Sequence, residues 1–269
     1  TNGQPGTADR GNVNNRLTVN ITTDVGTINA LRVGTAGNST DGEGTIIIDG
    51  GVLTIADGGG TGADVTIGSG AFKGTLRIIN GGTLTSNNAG ADGEIYIGQN
   101  NGSDGILLLD NGTINANRAF YVADGTGSTG TVTIGDGTGT ADAILNTQGG
   151  NLEVGNDGNG TMTVNSDGVV NINSNNLVIG QTGSSNGHVI VDGGTININA
   201  TGDINMNSGT SFFTLNSGSV LGLRNFNQSS LEGTPSVSNF NGGLITTSGD
   251  IVDRNGLSTL NYNGTQMQI

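Results

Sequence analysis

The sequence predicts an all-β protein, a parallel β-solenoid with three short strands per rung and about eight to nine rungs. Three observations carry that expectation. One block recurs, reading GTIIIDGGVLTI…VTIG over residues 44–68, GTLRIINGGTLT…IYIG over 74–98 and GHVIVDGGTINI…INMN over 187–207, with weaker copies at 105–123, 130–155 and 160–180. A self-similar unit of this length is one supersecondary motif stacked on itself. Within each copy the apolar residues alternate, which marks half-buried strands. Between strands stand Asx-Gly turns, in a chain with 52 Gly and only 2 Pro. So much glycine carries a large ordering cost, and a continuous core with cooperative ladder hydrogen bonding offsets it.

The first strand of the block points Ile46/Ile48, Leu76/Ile78, Leu107/Leu109, Val132/Ile134, Met162/Val164 and Val189/Val191 inward. Its turn carries Asp49-Gly50-Gly51, Asn80-Gly81-Gly82, Asp110-Asn111-Gly112 and Asp192-Gly193-Gly194. Asn, Asp and Gly tolerate positive φ, and an Asx side chain can bond the backbone of the turn, so these are corners and not ligands. The second strand points Leu53/Ile55, Leu84, Ile114, Leu145, Val170/Ile172 and Ile196/Ile198 inward. The third points Leu31/Val33, Val65/Ile67, Ile95/Ile97, Phe120/Val122, Leu152/Val154, Leu177/Ile179 and Ile204/Met206 inward and closes at Gly34, Gly68, Gly98, Ala123, Gly155, Gly180 and Asn207. Three aliphatic stripes close a narrow triangular tube. The chain is one continuous domain: 1–30 is an N-terminal segment and first rung, 31–210 the solenoid repeats, and 211–269 a set of degenerate C-terminal rungs. Residues 1–16 are polar and read as irregular, and neither end carries an amphipathic helix to cap the tube.

Charge excludes several functions. The net charge is −14 with eight Lys and Arg, which are scattered. A nucleic-acid partner needs a clustered basic stripe, and none exists. No run of about 18 apolar residues is present, so no membrane insertion is expected. Cysteine is absent, which removes disulfides, thiolate metal sites and cysteine nucleophiles. The chain opens at Thr1, as one trimmed after export would, and an acidic, Cys-free, Asn/Thr/Gly-rich, Lys-poor composition points to an extracellular or bacterial cell-surface location.

The recurring G-x-x-G-T-[VML]-T-[VI], as in GSTGTVTI at 127–134 and NGTMTV at 159–164, with its closing L-x-[VI]-G, resembles the β-helix repeat of bacterial autotransporter passengers and PEP-CTERM-associated surface proteins. The resemblance spans about residues 30–210. It implies the β-helix fold and an adhesin or matrix role, and it brings no catalytic residue to transfer.

Candidate chemistry is sparse. The one histidine, His188, occupies a position that Thr45, Thr75, Thr131 and Thr161 fill in other copies, so it reads as an exposed strand start. A polysaccharide lyase or hydrolase of β-helix type needs clustered carboxylates beside a basic residue. The outward column of the third strand, Arg32, Thr66, Tyr96, Tyr121, Glu153, Val178 and Asn205, stacks no such set. Tyr96 and Tyr121 fall on adjacent rungs and form an aromatic ladder, which either contacts a surface or glycan or shields the sheet. GGTGADVTI at 59–67 is one near-copy of a calcium-binding nonapeptide, and that motif works in tandem. Asp64, Asp136, Asp142 and Asp157 are the calcium candidates, no other cofactor is expected, and no residue is assigned a catalytic role. The outward column Thr54, Thr85, Asn115, Asn146, Asn171 and Asn197 reads as a side-chain amide ladder, with a Thr-based ice-binding face as the alternative.

The expected function is a non-enzymatic extracellular structural protein that associates with itself head to tail as a subunit of a surface filament or matrix. Phe212, Phe213, Phe226, Phe240 and Tyr262 are expected to seal the joint. The alternatives are a monomeric adhesin or autotransporter-type passenger that binds a surface or cell-surface polysaccharide and, third, a polysaccharide lyase or hydrolase.

Overall fold

A computed structural model describes residues 9–35, 42–56, 65–87, 93–139, 142–199, 201–207, 209–228, 236–253 and 259–268. Among these residues there is no helix, and thirty strands form three parallel sheets of ten strands each. Every coil visits sheet A, then B, then C, as in Ile95–Ile97, Asp104–Leu109 and Gly112–Ala116, and each inner coil pairs in all three with the coil before and the coil after. At the strand spacing of about 4.8 Å, ten strands make a rod about 45 Å long. The count passes eight to nine because the end segments also coil.

At the N-terminal end, Arg10–Val13 pairs in register with Ala30–Val33, where the polar composition of residues 1–16 reads as irregular. Gly11 and Val13 are its only inward-suited residues, too few to show a period. At the C-terminal end, the segment after residue 210 is degenerate in sequence but continues in all three sheets, Thr210–Leu215 pairing with Ser236–Phe240 and that strand with Thr259–Tyr262.

The three inward stripes are buried throughout the central coils. Sheet A strands there are three residues long, such as Ile95–Ile97, and a residue of positive φ ends each one. Gly98 shows why: at φ 80° its amide donates to Ile67 O at 2.8 Å, and an added Cβ would lie 2.2 Å from Thr129 O. On the other side of the same corner Gly105 is the second residue of the sheet B strand Asp104–Leu109, and a Cβ there would lie 2.1 Å from Gly98 N. The Gly of each Gly-Thr start is therefore steric, since the chain turns with backbone packed on backbone.

The Asx corners after sheet B carry positive φ at Gly50, Asn80, Gly81 and Gly193. Their side chains bond one another across coils: Asn80 Nδ2 donates to Asp49 Oδ1 at 2.6 Å, Asn216 to Asp192 at 3.2 Å, and Asn241 to Asn216 at 3.2 Å. Stacking brings like positions together, so these side chains find their partner one coil away.

Sheet C carries the amide ladder outward. Asn197 donates to Asn171 Oδ1 at 3.0 Å, Asn171 to Asn146 at 2.9 Å, Asn146 to Asn115 at 2.9 Å, and Asn115 to Thr85 Oγ1 at 3.4 Å. Every amide points the same way along the rod, so the carbonyl oxygens of Asn115, Asn146 and Asn171 each accept from the next coil, and the ladder ends where Asn197 faces Gly222.

Candidate functional site

Two features stand out: the outer face of sheet A and the ends of the tube. In sheet A the outward residues Thr66, Tyr96, Tyr121, Glu153, Val178 and Asn205 are in register on successive coils. A three-residue strand has one outward side chain, and the corner residues on either side rise past it. The face is thus a trough. Glu153 is 8% and Val178 4% exposed although both point away from the core. One wall carries Gln99, Asp124, Asn156 and Gln181, the other Glu94, Arg118, Asn151 and Asn176. These walls are tied along the axis, Asn156 Nδ2 donating to Asp124 Oδ1 at 2.6 Å and Asn176 N to Asn151 Oδ1 at 3.2 Å.

Tyr96 and Tyr121 stack in the trough with ring centroids 4.9 Å apart and planes at 17°. That distance is the strand spacing, so the sheet holds the rings in contact. Each ring spends one face on the other. Beyond Tyr121 lies Glu153 and beyond Tyr96 lies Thr66, whose hydroxyl donates to Gln99 Oε1 at 3.3 Å. A hollow of about 250 Å³ beside Tyr121 is lined by Glu94, Arg118, Asn151 and Glu153 together with Gly149 and Gly150. A second, of about 350 Å³, is lined by Arg32, Thr66, Ser69 and Gln99.

Burial, followed by Glu94 and Asp124, raises the Tyr96 hydroxyl above the ordinary tyrosine range. Burial, then Glu153 and Glu94, pushes Tyr121 up to about 12, with Arg118 opposing. Burial also raises the Glu153 carboxyl, against the hydrogen bond that Asn151 Nδ2 donates to its Oε1 at 3.0 Å. Asp124 is raised by burial too, against its bond from Asn156. Carboxylates of three coils thus act on one aromatic pair, with Arg118 beside them. The outward column alone does not reveal this, because Glu94 and Asp124 lie just outside their strands and reach the tyrosines only once the corners fold up.

The calcium candidates are spread over the corners. Asp136 and Asp142 bracket one, and Asp157 lies at another. Asp136 Oδ1 accepts from Thr138 N at 2.8 Å and Thr138 Oγ1 at 2.6 Å, and Asp157 Oδ1 accepts from Thr182 Oγ1 at 2.6 Å. The buried Asp167 accepts from Asp136 N and Gly137 N, fixing the turn. Asp64 lies outside the described residues. Among the described residues no three His, Asp or Glu side chains are grouped as a metal site. His188 is half-buried against Phe212, ring centroids 5.5 Å apart, and burial lowers its pKa.

The aromatic joint residues divide. Phe213, Phe226 and Phe240 are fully buried inside the tube and present no surface to another chain, a correction to their expected place at a joint. They meet edge to face at 5.3 to 6.2 Å, filling with rings the space that aliphatic residues fill in other coils. Phe212 is exposed on the outer face of sheet B, and Tyr262 lies on the last coil with its ring 5.7 Å from Phe240.

On that last coil Leu260, Tyr262 and Met267 are 43%, 46% and 39% exposed. They continue the inward columns of Ser238, Phe240 and Ile245, which are fully buried one coil earlier. At the other end a cavity of about 550 Å³ opens between Val13, Val19, Ile21, Val25, Ile28 and Leu31.

These features define the class as a three-sheet parallel β-solenoid with a polar outer trough. No family model, curated protein or solved structure matches the chain.

Proposed function

We propose that this protein is a non-enzymatic structural rod of the bacterial cell surface or its matrix, and that copies join end to end. The observation that carries the reading is the stack itself: each described coil joins the next through three in-register parallel ladders and through side-chain bonds such as those of the Asn115–Asn197 column, and the same surfaces suit the joining of copy to copy. Leu260, Tyr262 and Met267 stand in columns whose every earlier member is capped by a further coil. The first coil offers an apolar mouth of the same triangular section. The outermost described strand of each sheet is paired on one side, and a first coil of a second copy laid on the last described coil would continue all three ladders. Such a head-to-tail contact does not close, so it yields a filament.

Magnitudes place the joint in the concentration-dependent range. Covering the two-fifths or so of each of these side chains that is exposed contributes roughly 1 kcal/mol each, and association costs about 4–15 kcal/mol. The edge hydrogen bonds have to supply the surplus.

Electron microscopy and sedimentation velocity over a concentration series test the reading. Unbranched filaments with an axial repeat of about 48 Å, ten strand spacings, shortened to single rods by Leu260→Lys or Val19→Lys, are expected. Single rods at every concentration overturn it.

A further inference from the structure

The geometry points to a second role for the outer face of sheet A: it binds a saccharide chain of neutral or amino-bearing sugars, one ring seated against Tyr121 in the hollow that Glu153 also lines. The argument begins with preorganisation. Tyr96 covers one face of Tyr121 at 4.9 Å and the sheet fixes both backbones, so the part of the ring that lines the hollow is held without the entropy cost of ordering an exposed side chain. An aromatic face in a trough suits a ligand that is apolar on its flat side and polar at its rim, as a pyranose ring is.

The hollow beside that face supplies the rim contacts. Glu153 stands on its floor and Glu94, Arg118 and Asn151 on its wall, while Gly149 and Gly150, packed against the backbone of Asn117 and Ala119, add no side chain to the lining. A hollow of about 250 Å³ has room for a single sugar ring. The second hollow, beyond Tyr96, lies along the same trough, so a chain that crosses the tyrosine ridge meets polar groups on both sides.

Charge selects among sugars. Glu94, Asp124 and Glu153 all bear on the tyrosine pair against Arg118, within a protein of net charge −14. A uronate or sulfated chain would bring more negative charge to buried carboxylates. A hydroxyl or a protonated amine would be accepted by them, and an ammonium gains further from the tyrosine face.

The test titrates the whole chain with three probes, glucosamine tetramer, N-acetylglucosamine tetramer and galacturonate tetramer, by calorimetry and by the fluorescence of its three tyrosines. Saturable binding of the first two and none of the third is expected. Tyr121→Ala should weaken binding about tenfold, the loss of one stacked face, whereas Tyr262→Ala on the last coil should leave it unchanged. Glu153→Gln, nearly isosteric and so safe for folding, should retain the N-acetylated probe and lose the preference for the free amine. The proposal falls if neither of the first two probes binds, if galacturonate binds as tightly as glucosamine, if Tyr121→Ala binds like the parent, or if Glu153→Gln leaves the amine preference intact. Because these readouts are taken on single rods at low concentration, they are independent of filament formation.

Discussion

Ala123 holds, at φ 60°, the corner that Gly98 holds at φ 80° one coil earlier, and both amides bond the sheet A strand before them at 2.8 Å. One corner of the stack has therefore accepted a Cβ in the left-handed region, while its neighbour has no space for one.

The two substitutions that exchange these residues should differ sharply. Gly98→Ala adds left-handed strain of about 1–2 kcal/mol and drives a Cβ to 2.2 Å from Thr129 O. It should cost more than about 2 kcal/mol, roughly 2–4 °C of Tm per kcal/mol in a chain of this size. Ala123→Gly relieves strain but gives up a buried methyl and gains unfolded-state freedom, so it should stay within about 1 kcal/mol of the parent. Equal shifts in a thermal scan would refute the steric account of the glycine corners.

The amide ladder gives a pH-dependent test. Asn146 accepts from Asn171 and donates to Asn115. Asn146→Ala breaks both bonds at a half-buried site and should cost about 1–2 kcal/mol. Asn146→Asp keeps the acceptor and turns the donor into a charge facing the Asn115 carbonyl. It should be destabilised at neutral pH and recover in acid, when a protonated carboxyl can donate again. Denaturant melts at pH 7 and pH 4 separate the two, and an Asp variant with no acid recovery contradicts a directional ladder.

Glu153 and Asp203 should bend the stability profile in opposite senses. Burial raises Glu153 in the folded state, so its ionisation opposes folding; the stability of the protonated form is complete below its unfolded pKa and is lost as pH rises through the folded one. For Asp203, burial is outweighed by the bonds from Arg224 and Asn225, so its pKa is lowered. Its contribution is present above the unfolded value and is lost as pH falls through the folded one. Glu153→Gln should accordingly raise Tm at pH 7 by a margin that closes toward pH 4, whereas Asp203→Asn should lower it at pH 7 by a margin that also closes in acid. A Glu153→Gln margin that widens in acid would show that the carboxylate is not strained by its burial.

Much of this architecture is legible in the sequence because stacking converts a repeat into a column. The inward stripes, the Tyr96–Tyr121 ladder and the Asn115–Asn197 ladder each follow from a period of two and a constant place in the block. What escapes is whatever depends on the corners. Glu94, Asp124 and Glu153 come from three coils separated by loops of different length, and their convergence is a property of the turn geometry. Phe213, Phe226 and Phe240 look like exposed additions to a decaying repeat until the coil phase is known, when they fall on inward positions of sheets B and A.

That aromatic cluster supports the last prediction. Phe240 touches Phe213 in the coil that begins at residues 203–206 and Tyr262 in the final coil, with Phe226 packed on both Phe213 and Phe240, so the Phe240 ring links three successive coils. Truncating it to alanine leaves a cavity that a rigid three-sheet tube cannot collapse, at about 3–5 kcal/mol. Because each coil contacts only its neighbours, that loss should be local. Amide exchange should speed up in Thr210–Leu215, Ser236–Phe240 and Thr259–Tyr262 while Leu177–Ile179 keeps its protection. A uniform loss of protection along the rod would mean instead that the coils melt as one cooperative unit, and that the aromatic cluster is no separate end-piece of the core.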